Sequence, residues 1–139
     1  MKMVDLENKE TVFLLKIIED TIVDNEQIFN NENPLCWEIG SGKGEFIREM
    51  SLRYPQLNFI GFELKPKRVN FIIRNLDVEK NQNVKICQFF VDASVKKVFR
   101  AESIEKIFIN HPDPWPKRRH HKNRLFNAAF LDSLAYVLK

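Results

Sequence analysis

Cysteine, glycine and long apolar runs are all scarce in this chain of 139 residues. Its two cysteines, Cys36 and Cys87, stand far apart and form no CxxC, so the spacing suggests neither a zinc site nor a dithiol redox pair. Both lie in apolar runs and read as buried thiols. The three histidines show no helical HxxxH or HExxH spacing, so no metal site is expected. No stretch is apolar enough to cross a bilayer and no signal-peptide pattern is present, which leads to the expectation of a cytoplasmic protein without a membrane partner. Internal repeats and low-complexity linkers are absent. Of the four glycines, three fall between positions 40 and 44. They match neither the GxGxxG spacing of a dinucleotide fold nor the pattern of a P-loop.

What is present fits one domain. A chain of this length buries roughly 70% of the surface its unfolded form exposes, and the 44% hydrophobic content argues against disorder. The net charge of +3 is unevenly spread. Residues 117–124 carry +5 (Lys117, Arg118, Arg119, Lys122 and Arg124) and no acid, which leaves −2 for everything else. Such a local basic block is either a solvated loop or import signal, or an electrostatic footprint for phosphates.

The hydrophobic pattern alternates between strand and helix. Phe13, Leu14, Ile17, Ile18 and Ile22 recur at helical spacing and predict an amphipathic leading helix over 11–29, stopped by Asn30-Asn31-Glu32-Asn33-Pro34. Leu35–Ile39 reads as a buried first strand, followed by a glycine turn and a helix with Phe46, Ile47 and Met50 on one face. Residues 58–63 form a second strand ending in Glu63. A helix over 66–80 turns Val69, Ile72, Ile73 and Leu76 inward, with Pro66 suited to its first turn. A third strand over 84–91 ends at Asp92, a short helix lies near 94–101, and a fourth strand spans 104–109. A last helix is expected over 123–138. Strands alternating with helices mean right-handed βαβ units and a parallel sheet, hence an α/β, Rossmann-like layer of about four strands. The division expected is a single domain over 1–139, with a helical extension at 1–33 and a cofactor-binding core at 34–139.

Two motifs carry the chemistry. In Glu38-Ile39-Gly40-Ser41-Gly42-Lys43-Gly44, glycines let the backbone turn tightly and approach a ligand, although Gly40 and Gly42 also suit a plain tight turn. Glu63, 23 residues beyond Gly40 at the tip of the second strand, suits a carboxylate that accepts from a ribose diol. Ligands of open α/β sheets sit at the carboxyl edge of the strands, so Glu38, Glu63, Asp92 and Asp113 are expected to converge there. Four acids disfavour a pyrophosphate and favour a cationic cofactor with a ribose. The second motif, His111-Pro112-Asp113-Pro114-Trp115-Pro116-Lys117-Arg118-Arg119-His120-His121-Lys122-Asn123-Arg124, holds one carboxylate between two prolines, in a stiff turn beside the cationic block.

Together, EIGSGKGEF, GFELK, Asp92 and HPDPWPKRRHHKNRL resemble the bacterial tRNA (guanine-N7)-methyltransferase family, from about residue 34 onward. The resemblance implies a class I methyltransferase fold, S-adenosyl-L-methionine as methyl donor and the variable-loop guanosine of tRNA as acceptor. It implies that Glu38, Gly40, Gly42, Glu63, Asp92 and Asp113 line the cofactor site and that Asp113 is also the catalytic position. Lys117, Arg119, His120, His121, Lys122, Asn123 and Arg124 would contact substrate or RNA. Trp115 either stacks on a base or wedges the loop. Family members continue with further strands and a Thr-Asp segment that are not in this sequence. Strand four is therefore expected at an open edge, with self-association through it. Two rival readings stand beside this one: a non-catalytic RNA-binding module that uses the basic loop alone, and a nicotinamide-dependent dehydrogenase.

Overall fold

The computed structural model describes residues 6–110 and 127–139. β1 (Leu35–Ile39) runs through the middle of it with all five residues buried. β1 pairs in parallel with β2 (Asn58–Phe62) on one side and with β4 (Lys106–Ile109) on the other, and β2 pairs with β3 (Val84–Cys87). The result is one four-stranded sheet, all parallel, in the order β3-β2-β1-β4. This is the α/β layer the alternating pattern predicts. Parallel neighbours need crossovers. α3 (Glu45–Arg53) connects β1 to β2, and α4 (Pro66–Asn75) connects β2 to β3. A short 3₁₀ turn (Ala93–Lys97) lies between β3 and β4, and α5 (Ala128–Val137) follows β4.

Side chains on a strand alternate between faces, and the core divides accordingly. Leu35, Trp37 and Ile39 of β1 join a cluster with Val95 of the 3₁₀ turn and with Phe130 and Leu134 of α5. Trp37 meets Phe62 and Phe99 edge-on, with ring centroids 4.9 and 4.8 Å away. Cys36 turns to the other face, where Ile47 of α3 and Val69, Ile72 and Ile73 of α4 pack. Both faces of the sheet are thus covered, as parallel sheets require. Both cysteines are fully buried, and they lie in different clusters.

The structure corrects several expected boundaries. No continuous helix spans 11–29. α1 (Leu6–Phe13) ends early, residues 14–24 run without helix, and α2 (Asn25–Phe29) begins at an Asp24 cap that accepts from the backbone N–H groups of Glu26 and Gln27. The reason is an edge. Leu14 bridges in parallel to Ile86, and Leu15 N–H donates to Ile86 O at 2.8 Å, so this segment covers the outer side of β3. The half-buried Lys85 ammonium adds a bond to Val12 O at 2.6 Å. α4 buries Val69, Ile72 and Ile73 as predicted, but ends at Asn75 rather than 80, so the buried Leu76 is its C-cap. Asp77 Oδ1 there accepts from the N–H groups of Glu79 and Lys80 at 2.8 and 2.9 Å, a turn that replaces the last helical bonds. β3 stops at Cys87, because its partner β2 ends at Phe62. At the far edge of the sheet, Ile104 bridges in parallel to Leu138, and Lys139 N–H donates to Ile104 O at 3.0 Å.

Candidate active site

The turn after β1 opens the carboxyl edge of the sheet. Gly40, Gly42 and Gly44 all take positive φ, at 79°, 58° and 83°, a region that side chains disfavour. The N–H groups of Gly40 and Ser41 both donate to Phe62 O, at 2.9 and 3.1 Å, which ties the turn to the end of β2. At Gly44 a Cβ would lie 2.7 Å from Ile72 Cγ2, so the turn rests directly on α4. Arg48 N–H then donates to Gly44 O and starts α3.

Glu38 is 1% exposed, the most deeply buried carboxylate among the described residues. It lies opposite Gly61 on β2 and Phe108 on β4. Asn110 Nδ2 donates to Glu38 Oε2 at 2.8 Å, and Asn110 N–H donates to Ile39 O at 3.1 Å. Glu63 follows β2 at the same edge and is 7% exposed. Its N–H donates to Cys87 O, and its Oε1 takes the Arg68 guanidinium at 3.4 Å. Asp92 lies five residues beyond β3 rather than at a strand tip. It caps the 3₁₀ turn, with Oδ1 accepting from Ser94 N–H at 2.9 Å and Ser94 Oγ at 2.5 Å, a cap that leaves Oδ2 unused. A cavity of about 200 Å³ opens against Gly42, Lys43, Glu45 and Arg68.

The parallel sheet therefore brings Glu38, Gly40, Gly42 and Glu63 to one edge, with Asp92 on the chain leaving the same edge of β3. Asp113, Lys117, Arg119, His120, His121, Lys122, Asn123 and Arg124 lie outside the described residues, as do His111 and Trp115. Two residues escaped the sequence reading. Arg68, in the first turn of α4, pairs with Glu63 five positions earlier; opposite charges on either side of a strand-to-helix turn are the available signal. Asn110 is the first polar residue after Ile107-Phe108-Ile109, and hence a position at the carboxyl edge. Lys43 and Arg68 also make the crevice less uniformly acidic than the four carboxylates alone suggest.

A family described as "Putative methyltransferase" matches residues 32–139. The tRNA (guanine-N(7)-)-methyltransferase of Oceanobacillus iheyensis is 41% identical over 115 residues, which cover 81% of this chain and 52% of that protein. The enzyme of the same name from Mycoplasma capricolum subsp. capricolum is 35% identical over 138 residues, covering 94% and 61%. The chain belongs to the tRNA (guanine-N7)-methyltransferase family. It spans about half the length of the curated relatives it matches. Among solved structures, the antibiotic-resistance methyltransferase Kmr superposes with a TM-score of 0.61 at 16% identity, over 84% of this chain and 59% of that one. A second antibiotic-related methyltransferase gives 0.62 at 16% identity, over 84% and 60%. At that identity these two show the fold alone, and it is the methyltransferase fold the resemblance implies.

Proposed function

We propose that this chain binds S-adenosylmethionine at the carboxyl edge of β1 and β2 and directs methyl transfer to N7 of a guanine in tRNA. One observation carries the reading: a buried carboxylate, Glu38, held by an amide beside a tight glycine turn, with a second carboxylate, Glu63, at the next strand tip, in a member of this family.

The residues present fit such a cofactor. Gly40 and Gly42 keep the backbone bare where a ligand must approach. Glu38 and Glu63 offer carboxylate oxygens to cationic and hydroxyl donors, and Asp92 keeps Oδ2 outside its own cap. Lys43 and Arg68 provide the cationic side of the cavity. When bound, S-adenosylmethionine supplies a methyl group on a positively charged sulfur. The N7 of guanine carries a free lone pair, so the acceptor needs no general base, and catalysis rests on alignment and electrostatics. Asp113, between Pro112 and Pro114 in the sequence, holds the acceptor and stabilises the positive charge that grows on the purine. Lys117, Arg119, His120, His121, Lys122, Asn123 and Arg124 hold the RNA.

The test is incorporation of a labelled methyl group into an unmodified tRNA transcript, with the product located by chain cleavage at N7-methylguanosine. Transfer to a variable-loop guanosine, reduced about a hundredfold or more by Asp113→Ala, is the expected result. Binding of tRNA without transfer, unchanged by Asp113→Ala, supports the RNA-binding module instead. Failure to bind S-adenosylmethionine overturns the reading.

A further inference from the structure

We propose that Asn110 is a positioning residue that aims the Glu38 carboxylate into the cofactor crevice; the inference rests on the functional reading above.

The register between β1 and β4 places Phe108 directly opposite Glu38. Asn110 stands two positions further along β4, so its side chain emerges on the same face, one step nearer the carboxyl edge. From there Nδ2 reaches back to Glu38 Oε2 at 2.8 Å, while the Asn110 N–H closes the ladder on Ile39 O at 3.1 Å. The residue is thus fixed at both its main chain and its side chain. Only Nδ2 can face the carboxylate, because the amide oxygen would repel it. A glutamate side chain has three rotatable bonds, and burying its charge without fixed donors is costly. An amide donor solves both problems in one respect that Lys or Arg cannot. It orients the carboxylate while bringing no charge of its own. Asn110 is three residues before Asp113 in the chain, so the segment that carries the second motif departs from the residue that holds the first motif's acid.

A double-mutant cycle in the full chain tests this. The readouts are the dissociation constant for S-adenosylmethionine by calorimetry and the thermal unfolding midpoint. Asn110→Ala is expected to weaken binding about tenfold, as loss of one hydrogen bond to a charged group implies. Asn110→Leu, which fills the volume but lacks the donor, is expected to weaken it equally and guards against a folding defect. Glu38→Gln weakens binding by itself. Adding Asn110→Ala to Glu38→Gln is expected to cost nothing more, because residues acting through one contact are not additive. Additive losses, or unaltered affinity in both Asn110→Ala and Asn110→Leu, overturn the proposal alone. Absence of binding by the unsubstituted chain overturns the functional reading and this inference with it.

Discussion

Gly61 stands opposite Glu38 in the β1–β2 ladder, and the space beside it is already filled. A Cβ there would lie 2.5 Å from Ser41 Oγ and 2.8 Å from Ile47 Cδ1. The glycine lets the turn and α3 sit directly on β2, which sets the depth of the crevice. Gly61→Ala is expected to destabilise the fold by about 1–3 kcal/mol through overpacking, measured as a lowered urea midpoint with an unchanged slope. The cysteines give a second prediction. Burial pushes the Cys87 thiol from 9.0 up to about 12, and burial also raises Cys36. Below pH 9.0 the thiol is neutral in both the folded and unfolded states, so its full contribution to stability is present there. Between 9.0 and about 12 the unfolded chain ionises and the folded one does not, so stability falls as pH rises, by up to about 1.4 kcal/mol per pH unit. Lys85, lowered by burial, acts with the opposite sign below 10.5. The difference between the chain and Cys87→Ala therefore isolates the thiol. Urea unfolding from pH 8 upward is expected to show a shallower alkaline loss in Cys87→Ala.

At the scale of elements, the end of the sheet away from the site is latched by one amide. Asn83 Nδ2 donates to Ser51 O, Tyr54 O and Leu57 O at 3.1, 3.3 and 2.8 Å, gathering the end of α3 and the loop into β2. Asn81 Nδ2 adds a bond to Ser51 Oγ at 2.8 Å. Because Asn83→Ala removes the side-chain donor shared by three carbonyls, it is expected to cost about 1–3 kcal/mol. Hydrogen exchange will show the loss as faster opening of α3 and the start of β2. Much of this architecture was readable in advance. The apolar strand runs, the glycine turn and the inward row of α4 are local patterns, and local patterns determine them. Residues 14–24 were misread for the opposite reason. Leu14, Ile17, Ile18 and Ile22 imitate a helical stripe, but Leu14 and Leu15 are used by the edge of β3, which exists only after the sheet has formed, and Val23 N–H bonds to Val98 O. The same holds for the site. The spacing of Glu38, Gly40 and Glu63 makes them candidates, whereas the bond from Asn110 to Glu38 joins residues 72 positions apart. It becomes visible only when β4 is placed beside β1.

At the scale of the whole molecule, charge is partitioned. The net +3 is the sum of +5 within 117–124 and −2 elsewhere, and three of the acids stand along the carboxyl edge of the sheet. On the proposed function, the carboxylates that would suit a sulfonium cofactor repel a polyanion, so the phosphates of an RNA would have one strongly favourable block to engage. Each phosphate neutralised releases counterions. The expected slope of log affinity against log salt is about −0.7 per contact for single strands and −0.9 for duplex. If all five cations engage, binding to tRNA should show a slope of about −3.5 to −4.5. The paired substitution Arg119→Ala with Lys122→Ala should reduce that slope by about 1.4–1.8. If S-adenosylmethionine binds at the acidic edge as proposed, its affinity should not change in the same variant. Filter binding over a range of salt, alongside calorimetry with the cofactor, measures both. A slope near zero, or a cofactor affinity that falls with the RNA affinity, would show that the two charged regions do not divide the work in this way.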